Sequence, residues 1–148
     1  MIQLQSVSLG DARRIIAAGE AKAREIGSAS NIAVVDPGGN LVAHIRMDGA
    51  WIGSIDIAIN KAFTARMFDL PTKELSQKAQ PGAPFYGIQD SNHGRIQVLP
   101  GGLPLRYDGR GRRQRRHRRA GSGGGGGGRR CALIGPDHHL GRDAEGRG

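Results

Sequence analysis

Residues 31–47 read NIAVVDPGGNLVAHIRM, and this stretch decides the fold. Asn31-Ile32-Ala33-Val34-Val35 is short, apolar and β-branched, as a strand should be. Asp36-Pro37-Gly38-Gly39-Asn40 is dense in turn formers. Leu41 to Met47 reads as a second strand, so the two make an antiparallel hairpin. Leu41, Ala43, Ile45 and Met47 point one way along it and are the expected core face. Val42, His44 and Arg46 point the other way, which sets a histidine and an arginine side by side. Asp48-Gly49 then turns the chain.

Upstream, Ser8 followed by Asp11 spells a capping box and predicts a helix from about Leu9 to Ile26. Leu9, Ala12, Ile16, Gly19, Ala23 and Ile26 share one face, and Gly27 is placed as its stop. Downstream, Ser54 is the expected cap of a second helix, Ile55 to Phe68. Ile55, Ala58, Ile59, Ala62 and Ala65 form its stripe, with Lys61 near the edge. Pro71-Thr72 ends that segment, and Thr72 caps a short turn through Leu75. Residues 80–92 are loop-like, and Gly94 to Leu99 reads as a third strand. Pro100-Gly101-Gly102-Leu103-Pro104 is a tight backbone feature, and Leu105 to Tyr107 resumes a strand before Asp108-Gly109, a hairpin signal. The expected class is α+β: an antiparallel β-sheet packed with α-helices.

The composition changes abruptly near Gly109. Residues 1–108 carry 11 Lys+Arg against 10 Asp+Glu, a net of +1, whereas residues 109–148 carry 11 Arg against 3 acids, a net of +8. The formal charge of +9 therefore sits almost wholly in the last 40 residues. Two units are expected: residues 1–108, an incomplete α+β domain, and residues 109–148, an Arg/Gly-rich tail that is non-native or disordered. One reading of RGRRQRRHRR (110–119) is a nucleic-acid-binding arm, since arginines neutralise phosphates. Eleven arginines without a lysine and without interleaved aromatics fit that poorly.

A shifted reading frame accounts for the tail better. Permitted codons for residues 110–119, moved by one base, can encode Glu-Val-Val-Gly-Ser-Gly-Ala-Ile-Gly-Val, a strand sequence directly after a turn. On that account the C-terminal strand and helix of the fold are missing and the sheet is left with an open edge. His117, His138 and His139 are then by-products of the shift, not metal ligands.

Cys131 is the single cysteine, so no internal disulfide forms. The N-terminus lacks a basic segment followed by an apolar run, and no apolar run approaches the ~20 residues that span a bilayer. A cytoplasmic protein without membrane attachment is expected. No P-loop, zinc motif, nucleophile–base pair or paired-carboxylate spacing stands out, so no enzyme class is assigned.

Ala33-Val34-Val35-Asp36-Pro37-Gly38-Gly39-Asn40-Leu41-Val42, then Arg46-Met47-Asp48-Gly49-Ala50, resembles the GlcG/HbpS family of haem-binding or haem-degrading proteins. That family is related to the C-terminal domain of PduO-type proteins. Lys61-Ala62-Phe63-Thr64-Ala65, Pro71-Thr72 and Pro100-Gly101-Gly102-Leu103-Pro104 match its later motifs in order, so the resemblance covers residues 9–109. Members continue after Asp-Gly through a valine- and isoleucine-rich strand and a terminal helix, and this sequence departs from them at Arg110. The resemblance implies a sheet packed with helices, homo-oligomers, and a small-molecule or tetrapyrrole ligand, with haem as the cofactor.

A haem site needs an axial ligand, cations for the propionates and an apolar slot. His44 is a candidate imidazole ligand, with Arg46 on the same strand face to pair a carboxylate. The alternative is that both sit on a solvated face. His93, in a loop, is a second candidate metal ligand; an exposed loop histidine reads equally. Met47 is a soft ligand only if it leaves the core face. Asp48 either holds its turn or faces the ligand. Lys61 presents an ammonium to an acid or snorkels to solvent. Gly101 and Gly102 either offer backbone N–H groups to an anion or serve the turn. A second reading is an accessory factor or enzyme acting on a small hydroxy- or oxo-acid such as glycolate, held by Arg46, Lys61 and the Gly101-Gly102 turn. Nucleic-acid binding through the tail is the third.

Overall fold

A computed structural model describes residues 5–107 and 129–134. Its elements are α1 (Leu9–Glu25), β1 (Asn31–Val35), β2 (Leu41–Arg46), α2 (Ser54–Phe68), α3 (Thr72–Lys78), β3 (Gly102–Tyr107) and β4 (Arg129–Ile134). Two single-turn 3-10 helices, Ile88–Asp90 and Asn92–Gly94, lie between α3 and β3. The four strands form one antiparallel sheet in the order β2-β1-β4-β3. The class is α+β, as the sequence predicts.

The hairpin forms where expected. The Asp36 carboxylate builds the turn, with Oδ1 accepting from the N–H of Gly38 at 2.8 Å and of Asn40 at 2.9 Å. Gly39 has φ +80, and a Cβ there would meet Met67 Cε at 2.8 Å and Phe63 Cδ2 at 2.9 Å, so glycine is needed for both conformation and space. The register pairs Asn31 with Arg46, Ile32 with Ile45, Ala33 with His44 and Val34 with Ala43, with an irregularity between Val34 and Val35.

β1 is buried along its whole length because helices cover both faces of the sheet. Ile32 and Val34 pack against Ala12 and Ile16 of α1. Ala33 and Val35 pack against Ala58, Ala62 and Ala65 of α2. Each fully buried Ile or Val contributes about 1.5–3 kcal/mol. The capping box of α1 is present: the Ser8 hydroxyl accepts from the Asp11 N–H at 3.1 Å, and the Asp11 carboxylate accepts from the Ser8 N–H. Gly19 lets α1 approach β1, since a Cβ there would lie 3.1 Å from Ile32 Cδ1.

Several expectations are corrected. Ser54 does not cap α2; Gly53 stands at that position with no side-chain hydrogen bond, and Ser54 is the first helical residue. Thr72 likewise opens α3 without capping it, and α3 runs on to Lys78. The stripe of α2 is broader than its periodicity suggests: residues 61–65 are all buried, because β1, β3, β4 and α3 surround the helix. Gly94 to Leu99 is not a strand. Its polar backbone is answered by α2 and not by the sheet: the Gln97 N–H donates to Thr64 Oγ1 at 2.9 Å. Ile96 fills a separate cluster with Phe63 and Leu75. On β2, Ala43 and Ile45 pack toward α1 as expected, but Val42 joins them and Leu41 is exposed.

β4 comes from the stretch that composition sets apart, and it fills the place between β1 and β3. It pairs with β3 from Gly102↔Ile134 to Tyr107↔Arg129. The Asp108-Gly109 turn, the stretch 110–119 and His117, His138 and His139 lie outside the described residues. Among the described residues, no helix is long and apolar enough to cross a membrane.

Candidate functional site

The hairpin register decides which candidate residues meet. His44 lies opposite Ala33, and Ala33 faces α2, so His44 is on the α2 side of the sheet. Arg46 lies opposite Asn31 on that same side, one pair further along. β2 is an edge strand, so this face borders the rim of the sheet.

His44 is half-buried, and its Nε2 is buried without a hydrogen-bond partner among the described residues. Burial pushes the imidazole pKa below its ordinary value of 6.5, which keeps the ring neutral. Asn31 carries a second unanswered atom on this face. Its Nδ2 donates to the Trp51 carbonyl at 3.0 Å, while its Oδ1 is buried and has no partner among the described residues. Arg46 Nη1 donates to the Ala50 carbonyl at 3.3 Å. The two polar side chains thereby tie the loop after β2 to the hairpin. That loop leaves Trp51 and Ile52 unusually open, at 70% and 73% exposure.

Asp48 is exposed in the following turn and lies toward α1. Arg24, whose pKa is raised chiefly by its hydrogen bond to Glu20, also feels the Asp48 carboxylate. The remaining candidates fall elsewhere. Lys61 is only 2% exposed, on the part of α2 that meets β3, and a Cβ on Gly102 would lie 2.7 Å from the Lys61 carbonyl oxygen. The Gly102 N–H is taken by Thr72 Oγ1 at 2.9 Å, and Gly101 has φ +121. Among the described residues, β3 and β2 are the two edges of the sheet. Three strand spacings, roughly 14 Å, separate them, so the Gly101-Gly102 turn and the His44–Arg46 face do not form one small site. His93 is exposed in the second 3-10 turn, with left-handed φ of 58°. No group of three or more His, Cys, Asp or Glu among the described residues is arranged to hold a metal ion.

Asn31 escapes a reading of the sequence because it opens an apolar strand and looks like a boundary residue. The signal that finds it is the register itself, which pairs it with Arg46 and sets it diagonal to His44.

Known proteins share this architecture. Protein ORFY of Klebsiella pneumoniae has a crystal structure that superposes with a TM-score of 0.74 at 34% identity, covering 90% of this chain and 80% of that one. The crystal structure of a PduOC–haem complex matches with a TM-score of 0.70 at 25% identity, covering 90% of this chain and 85% of that one. HbpS matches with a TM-score of 0.69 at 26% identity, covering 90% and 79%. In sequence, an uncharacterised 15.0 kDa protein of Citrobacter freundii, from the dhaT-dhaS intergenic region, is 42% identical over 108 residues, 73% of this chain and 76% of that protein. The corrinoid adenosyltransferase PduO of C. freundii is 31% identical over 104 residues, and the chain spans only 31% of its length. The family model of the haem-degrading protein HbpS matches residues 7–112. This chain therefore belongs to the HbpS-like family of haem-degrading proteins.

Proposed function

We propose that this protein binds haem or a related tetrapyrrole at the β2 edge of the sheet, with His44 as the ligand to iron. The observation that carries the reading is the Nε2 of His44, buried and without a hydrogen-bond partner among the described residues. A neutral imidazole nitrogen is the form that ligates iron, and burial keeps it neutral. Arg46 follows on the same face and supplies a cation for a propionate. Trp51 and Ile52, on the loop that Asn31 and Arg46 hold through the Trp51 and Ala50 carbonyls, offer exposed apolar surface for a flat macrocycle. The residues present thus fit an iron porphyrin, which when bound supplies redox-active iron. His44 would hold the iron, Arg46 would pair a carboxylate, and Trp51 and Ile52 would shield the macrocycle from water. A structural relative crystallised as a haem complex and a family described as haem-degrading support the reading.

The hydroxy-acid reading is supported less well, because Arg46 and the Gly101-Gly102 turn stand at opposite edges of the sheet. Titration of hemin into the full chain tests the haem reading. A saturable Soret shift that His44→Ala abolishes is expected. A shift that survives unchanged in His44→Ala moves the ligand elsewhere, and no shift in the folded wild type removes the proposal.

A further inference from the structure

We infer that Asn31 and Arg46 form a carboxyl-binding subsite beside His44, a site that accepts an acid group together with a hydrogen-bond donor. Asn31 is 6% exposed, so its side chain is more than nine-tenths buried. A buried amide oxygen without a donor is costly, and native proteins leave few of them. The amide is not free to turn and relieve it, because Nδ2 is committed to the Trp51 carbonyl. Oδ1 therefore awaits an N–H or O–H from outside the described fold. Arg46 lies directly opposite Asn31 in the ladder. One of its guanidinium nitrogens holds the Ala50 carbonyl, and the fork retains N–H groups for a carboxylate. An acceptor and a cation paired across the ladder match a carboxylate that comes with its own donor: a water-bridged propionate of a tetrapyrrole, or a small free hydroxy acid.

The first of these sources rests on the haem reading; the subsite itself does not. The chain contains one tryptophan, Trp51, whose backbone is held by Asn31, so its fluorescence reports occupancy. The test titrates the full chain with hemin, with hemin dimethyl ester and with glycolate. Wild type is compared with Asn31→Ala, Asn31→Asp and Arg46→Gln, each melted without ligand as a fold control.

With hemin, Asn31→Ala and Arg46→Gln are expected to weaken binding about tenfold, the scale of one lost charge-assisted or buried hydrogen bond. The dimethyl ester binds wild type as weakly as those variants bind hemin, and the Soret position at saturation stays fixed because the axial ligand is intact. Glycolate binding that needs Asn31 and Arg46, with no hemin binding, keeps the subsite and removes the haem reading. Hemin and glycolate affinities unchanged in Arg46→Gln and in whichever Asn31 variant folds overturn the subsite, even if the melting temperature falls. In that event the haem reading stands or falls separately on His44→Ala.

Discussion

Gly102→Ala should destabilise this protein through two contacts that do not yield easily. A Cβ at Gly102 would sit 2.7 Å from the Lys61 carbonyl oxygen and 2.7 Å from Thr72 Cγ2. The first is helix backbone and the second is a β-branched side chain that is fully buried. β3 must therefore move off α2 by several tenths of an ångström. Overpacking of this kind costs about 1–3 kcal/mol. The same shift stretches the buried bond from the Gly102 N–H to Thr72 Oγ1, now 2.9 Å, and a bond of that type contributes about 0.5–1.5 kcal/mol. The sum is about 1.5–4.5 kcal/mol, a large part of the ~5–15 kcal/mol that holds a domain together. Urea unfolding of Gly102→Ala reads it as a lower midpoint at constant slope. Thr72→Val, which removes the hydroxyl without filling space, should cost about 1–2 kcal/mol and serves as the comparison. A Gly102→Ala variant within ~0.5 kcal/mol of wild type would refute the close approach of β3 to α2 on which the reasoning depends.

The other predictions concern single side chains. Thr64→Val should cost about 1–2 kcal/mol in urea, because the hydroxyl donates to the Asn60 carbonyl at 2.7 Å and accepts from Gln97, and its loss removes one tie of the 95–98 segment to α2. At Asp36 burial opposes ionisation, but hydrogen bonds from Asn40 and Gly38 outweigh it and hold the pKa below 3.8. Its contribution is therefore complete above pH 3.8 and lost on further acidification; acid titration of Asp36→Asn should show a shallower loss than wild type. His44 has its pKa lowered by burial, so the unfolded chain takes up the proton first as the pH falls. The stability it contributes is present above pH 6.5 and lost as the pH drops through the lower folded value, and His44→Gln should flatten the melting temperature across that range.

What could be read from the sequence follows the range of the interactions. The hairpin was legible because Asp36, Gly38, Gly39 and Asn40 act on one another within five residues, and their chemistry admits few alternatives. The α1 cap was legible for the same reason. Gly94 to Leu99 has the composition of a strand without being one, because composition does not say where the backbone N–H groups go, and here one goes to Thr64, 33 residues away. Gly102 offers the same lesson at the opposite edge of the sheet. Two glycines look like an anion cradle until the helix pressed against one of them is seen. That His44 and Arg46 share one face follows from alternation, which is a local rule. Asn31 has no such local signal, because what marks it is a buried Oδ1 without a donor among the described residues.

The central claim is that the His44 imidazole ligates haem iron, and cavity rescue tests it most directly. His44→Gly should bind hemin with the axial histidine signature missing from its absorption and electron paramagnetic resonance spectra. Added free imidazole should restore that signature at saturation. If wild-type and His44→Gly complexes instead give the same spectra before imidazole is added, His44 is not the iron ligand.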